Sequence, residues 1–156
     1  MARPVAKLNK LNLGSGDRIL EGCVNLDKIR VKGVDVVHDI DDLPLPFPDN
    51  NFTEILCHHI LCYSKDLISL MEELWRISRP GAKIIIEQPY PFNKTWSTDP
   101  MFRSPITEHT FRKYFGQSRF SYYSKARFRQ AFCHIQRNRH NPFVKENIQI
   151  KLEAVK

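Results

Sequence analysis

Only six residues, Asp17 to Gly22, separate the glycine turn Gly14-Ser15-Gly16 from the next apolar run, which begins at Cys23. Parallel neighbouring strands normally need a crossover of about a dozen residues or more, usually a helix. The apolar run ending at Leu13 reads as a strand, and glycines on either side of Ser15 let backbone N–H groups approach a ligand that side chains would block. Asp27 follows Val24 and Leu26, where a second parallel strand would end, and is placed there to accept hydrogen bonds from ribose hydroxyls. The spacing departs from a dinucleotide-binding unit, which has a full helix at this point. Ile19 also stands where the third glycine of GxGxxG would be, which argues against NAD. The first crossover must therefore be a turn or a single helical turn.

The rest of the first 90 residues alternates short apolar segments with turn signals. Strands are expected near 7–13, 23–27, 33–38 and 52–57, the last after the proline-rich loop "LPLPFPDNN", and near 83–88, where "KIIIEQ" is a continuous β-branched run. Continuous runs suggest strands covered on both faces, as in a parallel sheet. Between the last two strands, "SKDLISLMEELWRISRPG" predicts a helix. Ser64 is its expected cap, Leu67, Leu70, Met71, Leu74 and Ile77 form its apolar stripe, Glu72 and Arg76 pair at i,i+4, and Pro80-Gly81 ends it. Beyond it come an irregular loop over 91–106, a short helix over 107–115 capped by Thr107, and two strands near 122–135 and 147–155.

With 42% hydrophobic and 26% charged residues the chain falls among globular proteins, and 156 residues make about one domain, expected to span 1–156. No apolar run approaches the roughly 18 residues of a membrane span, and no signal-peptide core is present, so a cytoplasmic location is expected. The four cysteines, at 23, 57, 62 and 133, lack the density of a secreted framework and are expected as reduced thiols. The net charge of +7 is uneven. Residues 1–100 hold 12 Lys and Arg against 14 Asp and Glu, whereas 101–156 hold 12 against 3. From His109 to Lys145 there is no acid, and aromatic residues interleave with arginines and lysines, which favours an anionic partner.

In order and spacing, "LNLGSGDRILEGCVNLD", "VDVVHDIDDLPLPFPDNNFTEI", "LISLMEELWRISRPGAKIIIEQPYP" and "DPMFRSPITEHTFRKYF" resemble the small class I S-adenosylmethionine-dependent methyltransferases of the type 11-like family. The resemblance covers roughly residues 8–115, and "NIQIKLEAVK" is similar to the last antiparallel strand of that fold. It implies an α/β, Rossmann-like seven-stranded methyltransferase sheet, mostly parallel with an antiparallel last strand and a shortened N-terminus. The cofactor it implies is S-adenosyl-L-methionine, bound at the carboxyl ends of the first three strands, the edge where open α/β sheets hold ligands. By position Asn12, Gly14, Ser15 and Gly16 would line the methionine part, Asp27 would bind the ribose hydroxyls, and Asp39 with Ile40 would meet the adenine. Asn12 replaces the acid that many relatives carry there.

At the end of the fourth strand, where the methyl acceptor should approach, relatives often read histidine, two apolar residues, then Glu-His. Here His59, Ile60 and Leu61 precede Cys62 and Tyr63, so the usual acid is missing. His59 is the candidate catalytic residue, as a general base, with a structural histidine as the competing reading. Cys57, His58, His59 and Cys62 are zinc-ligand types, but strand alternation points neighbours to opposite faces, so no metal is expected. The expected activity is methyl transfer from S-adenosylmethionine to a small or polymer-linked anionic acceptor, in a site left open or completed by another subunit of a homo-oligomer. The alternatives are a non-catalytic methyltransferase-fold binding module and an RNA-modifying methyltransferase.

Overall fold

A computed structural model describes residues 8–91 and 93–156. Seven strands form a sheet: β1 (Lys10–Leu13), β2 (Val24–Asp27), β3 (Val36–Val37), β4 (Phe52–His58), β5 (Ser78–Pro89), β6 (Phe128–Arg137) and β7 (Lys145–Ala154). Their order across it is β3-β2-β1-β4-β5-β7-β6. The pairs from β3 to β5 are parallel, while β7 lies antiparallel to both β5 and β6, so β7 alone runs against the rest. The strand expected over 7–13 is seen at Lys10–Leu13, and Lys7 lies outside the described residues.

The first crossover contains no helix. One side chain, Asn25, meets both main-chain polar groups of Leu20 in it: Oδ1 accepts from the Leu20 amide at 2.9 Å and Nδ2 donates to the Leu20 carbonyl at 3.1 Å. Asn12 adds to this hub, donating from Nδ2 to the Arg18 carbonyl at 2.8 Å and to Asn25 Oδ1 at 2.9 Å. Both asparagines are 2% exposed. Buried amides replace the hydrogen bonds that a crossover helix would have made internally.

The helix α1 (Leu67–Ile77) buries Leu70, Met71, Leu74 and Ile77 against the sheet. Its cap is Asp66 rather than Ser64, with Oδ1 accepting from the Ser69 amide at 3.0 Å. Ser64 instead ends the 3-10 turn Leu61–Tyr63. Arg76 pairs with Glu73, not Glu72, because its guanidinium is drawn towards the proline-rich loop. It donates to the Phe47 carbonyl at 2.8 Å and to Asp49, while Glu73 Oε1 accepts from the Leu45 amide at 2.7 Å. Glu72 turns to the other side and accepts from Ser124 Oγ at 2.9 Å. We expect Arg76→Ala to strand the buried Glu73 carboxylate and two loop carbonyls, costing about 2 kcal/mol. For a chain of this size that is a melting drop of roughly 5 °C by scanning calorimetry. An unchanged melting temperature would show that the ion pair is not what fastens loop 43–50 to α1.

The segment expected to be irregular over 91–106 contains one short helix, α2 (Lys94–Thr98), capped by Asn93. α3 (Thr110–Phe115) starts later than expected. His109 stands at its N-cap without a side-chain bond, and the Thr107 hydroxyl accepts from the His109 amide one step earlier.

Burial corrects one expectation. The isoleucine run of β5 alternates: Ile84 and Ile86 are 0% and 1% exposed, whereas Ile85 between them is half-buried. One face of the sheet carries the core with α1 and α3, and the other is largely polar. The register aligns Lys10, Glu54, Lys83, Glu153 and Arg129 across five strands in alternating charge. Lys10 meets Glu54 at 3.1 Å, and Arg129 pairs with Glu153. Such cross-strand opposite charges suit a sheet face that meets water. The β-branched run looked doubly buried because Ile, unlike Lys or Glu, does not reveal which face it occupies.

Candidate active site

Beyond the C-terminal ends of β1 to β4 lies a cleft of about 450 Å³. Gly14 and Gly16 follow β1 into it, Asp27 ends β2, Asp39 and Ile40 follow β3, and His59 with Ile60 follows β4. Six of the eight expected site residues thus share one cleft. They converge because parallel strands bring all their carboxyl ends, and the loops that leave them, to a single edge.

The turn after β1 is held by main chain. Ser15 donates its amide to the Leu26 carbonyl at 2.9 Å, and Gly16 donates its own to Asp27 Oδ2 at 2.8 Å. Gly14 has φ +65°, and a Cβ there would come within 2.4 Å of the Ile60 side chain. The glycine lets Ile60 close on the turn. Asp27 Oδ1 accepts from the Ile29 amide at 2.9 Å, so both carboxylate oxygens are oriented while each keeps a lone pair. Asp39 Oδ1 accepts from the Asp41 amide at 3.0 Å.

Asn12 and Ser15 are placed differently from the expectation. Asn12 lies within β1 and spends its amide on the crossover turn, away from the cleft walls. Ser15 is 5% exposed and serves to pin the turn to the end of β2. Sequence position put both beside the glycines, but Asn12 is a strand residue, and such a residue points to a sheet face and not along the strand towards its end. The sequence reading missed the walls supplied by Ile60, Tyr63, Met101 and Arg103. The last two come from a segment without periodicity, brought in when the Arg103 and Ser104 amides donate to the Cys62 carbonyl at 2.7 and 3.0 Å.

His59 has φ +51°, a left-handed conformation uncommon for a residue with a side chain. Its amide donates to the Glu87 carbonyl at 2.7 Å, and its ring stacks on that of His58 at 4.1 Å between centroids. Burial, then the neighbouring His58, pushes the imidazole below its usual range, while Glu87 pulls the other way. A neutral ring can take a proton. Tyr63 donates to Asp99 Oδ2 at 3.0 Å, and burial with that bond pushes its phenol up to about 12. Burial likewise pushes the Cys62 thiol up to about 12 and the Cys57 thiol still higher, so neither is an activated nucleophile.

The family whose description is "methyltransferase domain" matches residues 19–86. The match spans 68 of the 156 residues, less than half of the chain, and is a likeness of that stretch to the family. Among solved structures it is similar to one from the complex of the Haloferax volcanii Trm112 methyltransferase activator with its methyltransferase. That match has 14% identity and a TM-score of 0.66, covering 98% of this chain and 85% of that one. It is also similar to an S-adenosylmethionine-dependent methyltransferase from Archaeoglobus fulgidus, at 14% identity and a TM-score of 0.64, covering 96% of this chain and 87% of that one. The [4+2]-cyclase SpnF is similar at 10% identity and a TM-score of 0.66, covering 94% of this chain and 74% of SpnF. At these identities the likenesses establish the fold alone. A comparison with curated proteins finds no match. Among the described residues, no helix is long and apolar enough to cross a membrane.

Proposed function

We propose that this chain is a methyltransferase that moves a methyl group from S-adenosylmethionine to an anionic acceptor, small or polymer-linked, and releases S-adenosylhomocysteine. The observation that supports it best is the convergence of Gly14, Gly16, Asp27, Asp39 and Ile40 on one cleft at the carboxyl ends of three adjacent strands. The cleft volume lies within the range of small-molecule and cofactor sites, about 300–1,000 Å³. On this reading the Asp27 carboxylate holds the ribose diol, Gly14 and Gly16 leave room beside the methionine part, and Asp39 with Ile40 meets the adenine. Bound S-adenosylmethionine supplies a methyl group already activated by its sulfonium. The chain's own contribution is therefore to position an acceptor in line and to take its proton where it has one, a task for His59.

Arg103 supports the anionic acceptor. Its guanidinium makes no hydrogen bond or ion pair with any described residue, although it lines the cleft. Planar guanidinium donors suit carboxylate and phosphate. The acid-free stretch from His109 to Lys145 contributes no wall. Arg127 is spent on the Ser124 and Ala126 carbonyls, Arg129 on Glu153, and Lys145 on Glu108 and Tyr90. These internal partners weigh against the RNA-modifying reading.

The test is incubation with methyl-labelled S-adenosylmethionine and separate pools of small carboxylates, small phosphates and RNA. Label is expected in an anionic small-molecule pool, falling tenfold or more with Arg103→Ala while the Kd for S-adenosylhomocysteine stays within twofold. Label in RNA, or in a neutral acceptor indifferent to Arg103, would overturn the acceptor assignment. S-adenosylhomocysteine binding without label in any pool would favour the non-catalytic binding module.

A further inference from the structure

We propose that His58, His59 and Glu87 form a binding site for a divalent first-row transition metal ion, with zinc as the type ion. Strand alternation should have sent the two histidines to opposite sides of the sheet. It does not, because β4 ends at His58 and the next residue turns left-handed, at φ +51°, bringing both rings to one side, 4.1 Å apart and within 11° of parallel. A non-glycine residue held in that conformation is an observed strain, and such outliers cluster at functional sites.

The third donor comes from the next strand. Glu87 on β5 is in register with His58, and Glu87 Oε1 stands 3.7 Å from His58 Nε2. One ligand atom from each of the three residues lies within 4.8 Å of the others. His59 Nε2 is buried and has no hydrogen-bond partner, a state that buried polar nitrogens rarely keep. Gln149 on β7 donates from Nε2 to Glu87 Oε2 at 3.1 Å, which orients the carboxylate and leaves the other oxygen for an ion, as outer-shell partners of metal ligands do.

The donor set selects the class of ion. Two imidazoles and one carboxylate suit zinc and its first-row neighbours, whereas calcium and magnesium demand more oxygens. The cysteines nearby take no part, since Cys57 and Cys62 are 1% and 0% exposed within the core. With zinc–ligand bonds of about 2.0–2.2 Å, tetrahedral donors stand roughly 3.3 Å apart, so the three groups must close by up to about 1.5 Å and the stacked rings must splay. His58 and Glu87 have side chains 37% and 38% exposed, free enough to make that adjustment. Three protein ligands leave a fourth position open. Because His59 also lines the cleft, an ion here would stand at its wall; with the basic nitrogen of His59 engaged as a ligand, the ion would replace it as the activating group, taking an acceptor oxygen and lowering the pKa of its proton. That use rests on the proposed function; the binding of the ion does not.

The test uses the full, untagged chain stripped with chelator. Calorimetry with zinc chloride is expected to show one ion per chain, and cobalt chloride to give the visible absorption of a low-symmetry site. His58→Ala and Glu87→Gln should each weaken zinc binding at least tenfold, with far-ultraviolet circular dichroism unchanged, and magnesium chloride should give no heat. Glu87→Gln keeps the amide contact to Gln149 and so guards against a folding defect in the histidine variant. Zinc binding indifferent to both substitutions, or absent from the native chain, would overturn the site. S-adenosylhomocysteine titrated into the same metal-free protein separates this failure from that of the cofactor reading, because Asp27 and the glycine turn do not touch the three ligands.

Discussion

Replacing Asp27 by alanine is expected to weaken S-adenosylhomocysteine binding a hundredfold or more. The carboxylate is the sole acid at the end of β2, oriented by the Gly16 amide at 2.8 Å and the Ile29 amide at 2.9 Å. Two hydrogen bonds from a ribose diol to a charged acceptor contribute about 1.5–3 kcal/mol each, and about 3 kcal/mol already corresponds to more than a hundredfold in Kd. The substitution also releases the glycine turn, so its effect combines a lost contact with lost preorganisation. Asp27→Asn separates the two: its amide oxygen can still receive one main-chain N–H, but the charge is gone, and a loss nearer tenfold is expected. Asp42, outside the cleft walls, is the control, and Asp42→Ala should change Kd less than twofold. Calorimetric titration of the three variants checks the set. Equal losses at Asp27 and Asp42, or none at Asp27, would mean that the ribose is not held at the end of β2.

What the sequence disclosed of this site follows from how local each feature is. Gly14, Gly16 and Asp27 were legible because a backbone that must turn sharply after a strand leaves a residue-type signature at the turn itself. α1 was legible because a stripe at helical spacing states its own geometry. The role of Asn12 was not, since it depends on Asn25, 13 residues away, across a strand pair whose register no local pattern records. The same holds for Ile85, whose half-exposed face became visible only through its neighbours Leu56 and Lys151. Arg103 arrives through main-chain bonds to Cys62, a contact between two irregular segments. His59 shows the opposite failure. Alternation is a sound rule inside a strand, and it misled at the one residue where the strand stops.

Gly14 and Gly16 both have positive φ, +65° and +51°, yet the two alanine variants should differ sharply in stability. At Gly16 a Cβ would meet nothing within 4 Å, so only the left-handed conformation is penalised, about 1–2 kcal/mol. At Gly14 the same penalty is joined by a collision: the added carbon would stand 2.4 Å from Ile60 Cδ1 and Cγ1 and 2.8 Å from its Cβ. The tip of Ile60 can rotate, but its Cβ moves only with the main chain that carries His59 and the 3-10 turn. Overpacking of this kind costs about 1–3 kcal/mol more. Gly14→Ala is therefore expected to lower the melting temperature by roughly 5–15 °C, and Gly16→Ala by roughly 2–6 °C. A double-mutant cycle with Ile60→Ala isolates the part of the collision due to Cγ1 and Cδ1, while the 2.8 Å approach to the Cβ at position 60 remains. Gly14→Ala should then cost less than it does beside Ile60, yet still more than Gly16→Ala. If the two glycine variants melt alike, or if the cycle shows no coupling between positions 14 and 60, Ile60 does not close on the turn, and the wall of the cleft between β1 and β4 is built some other way.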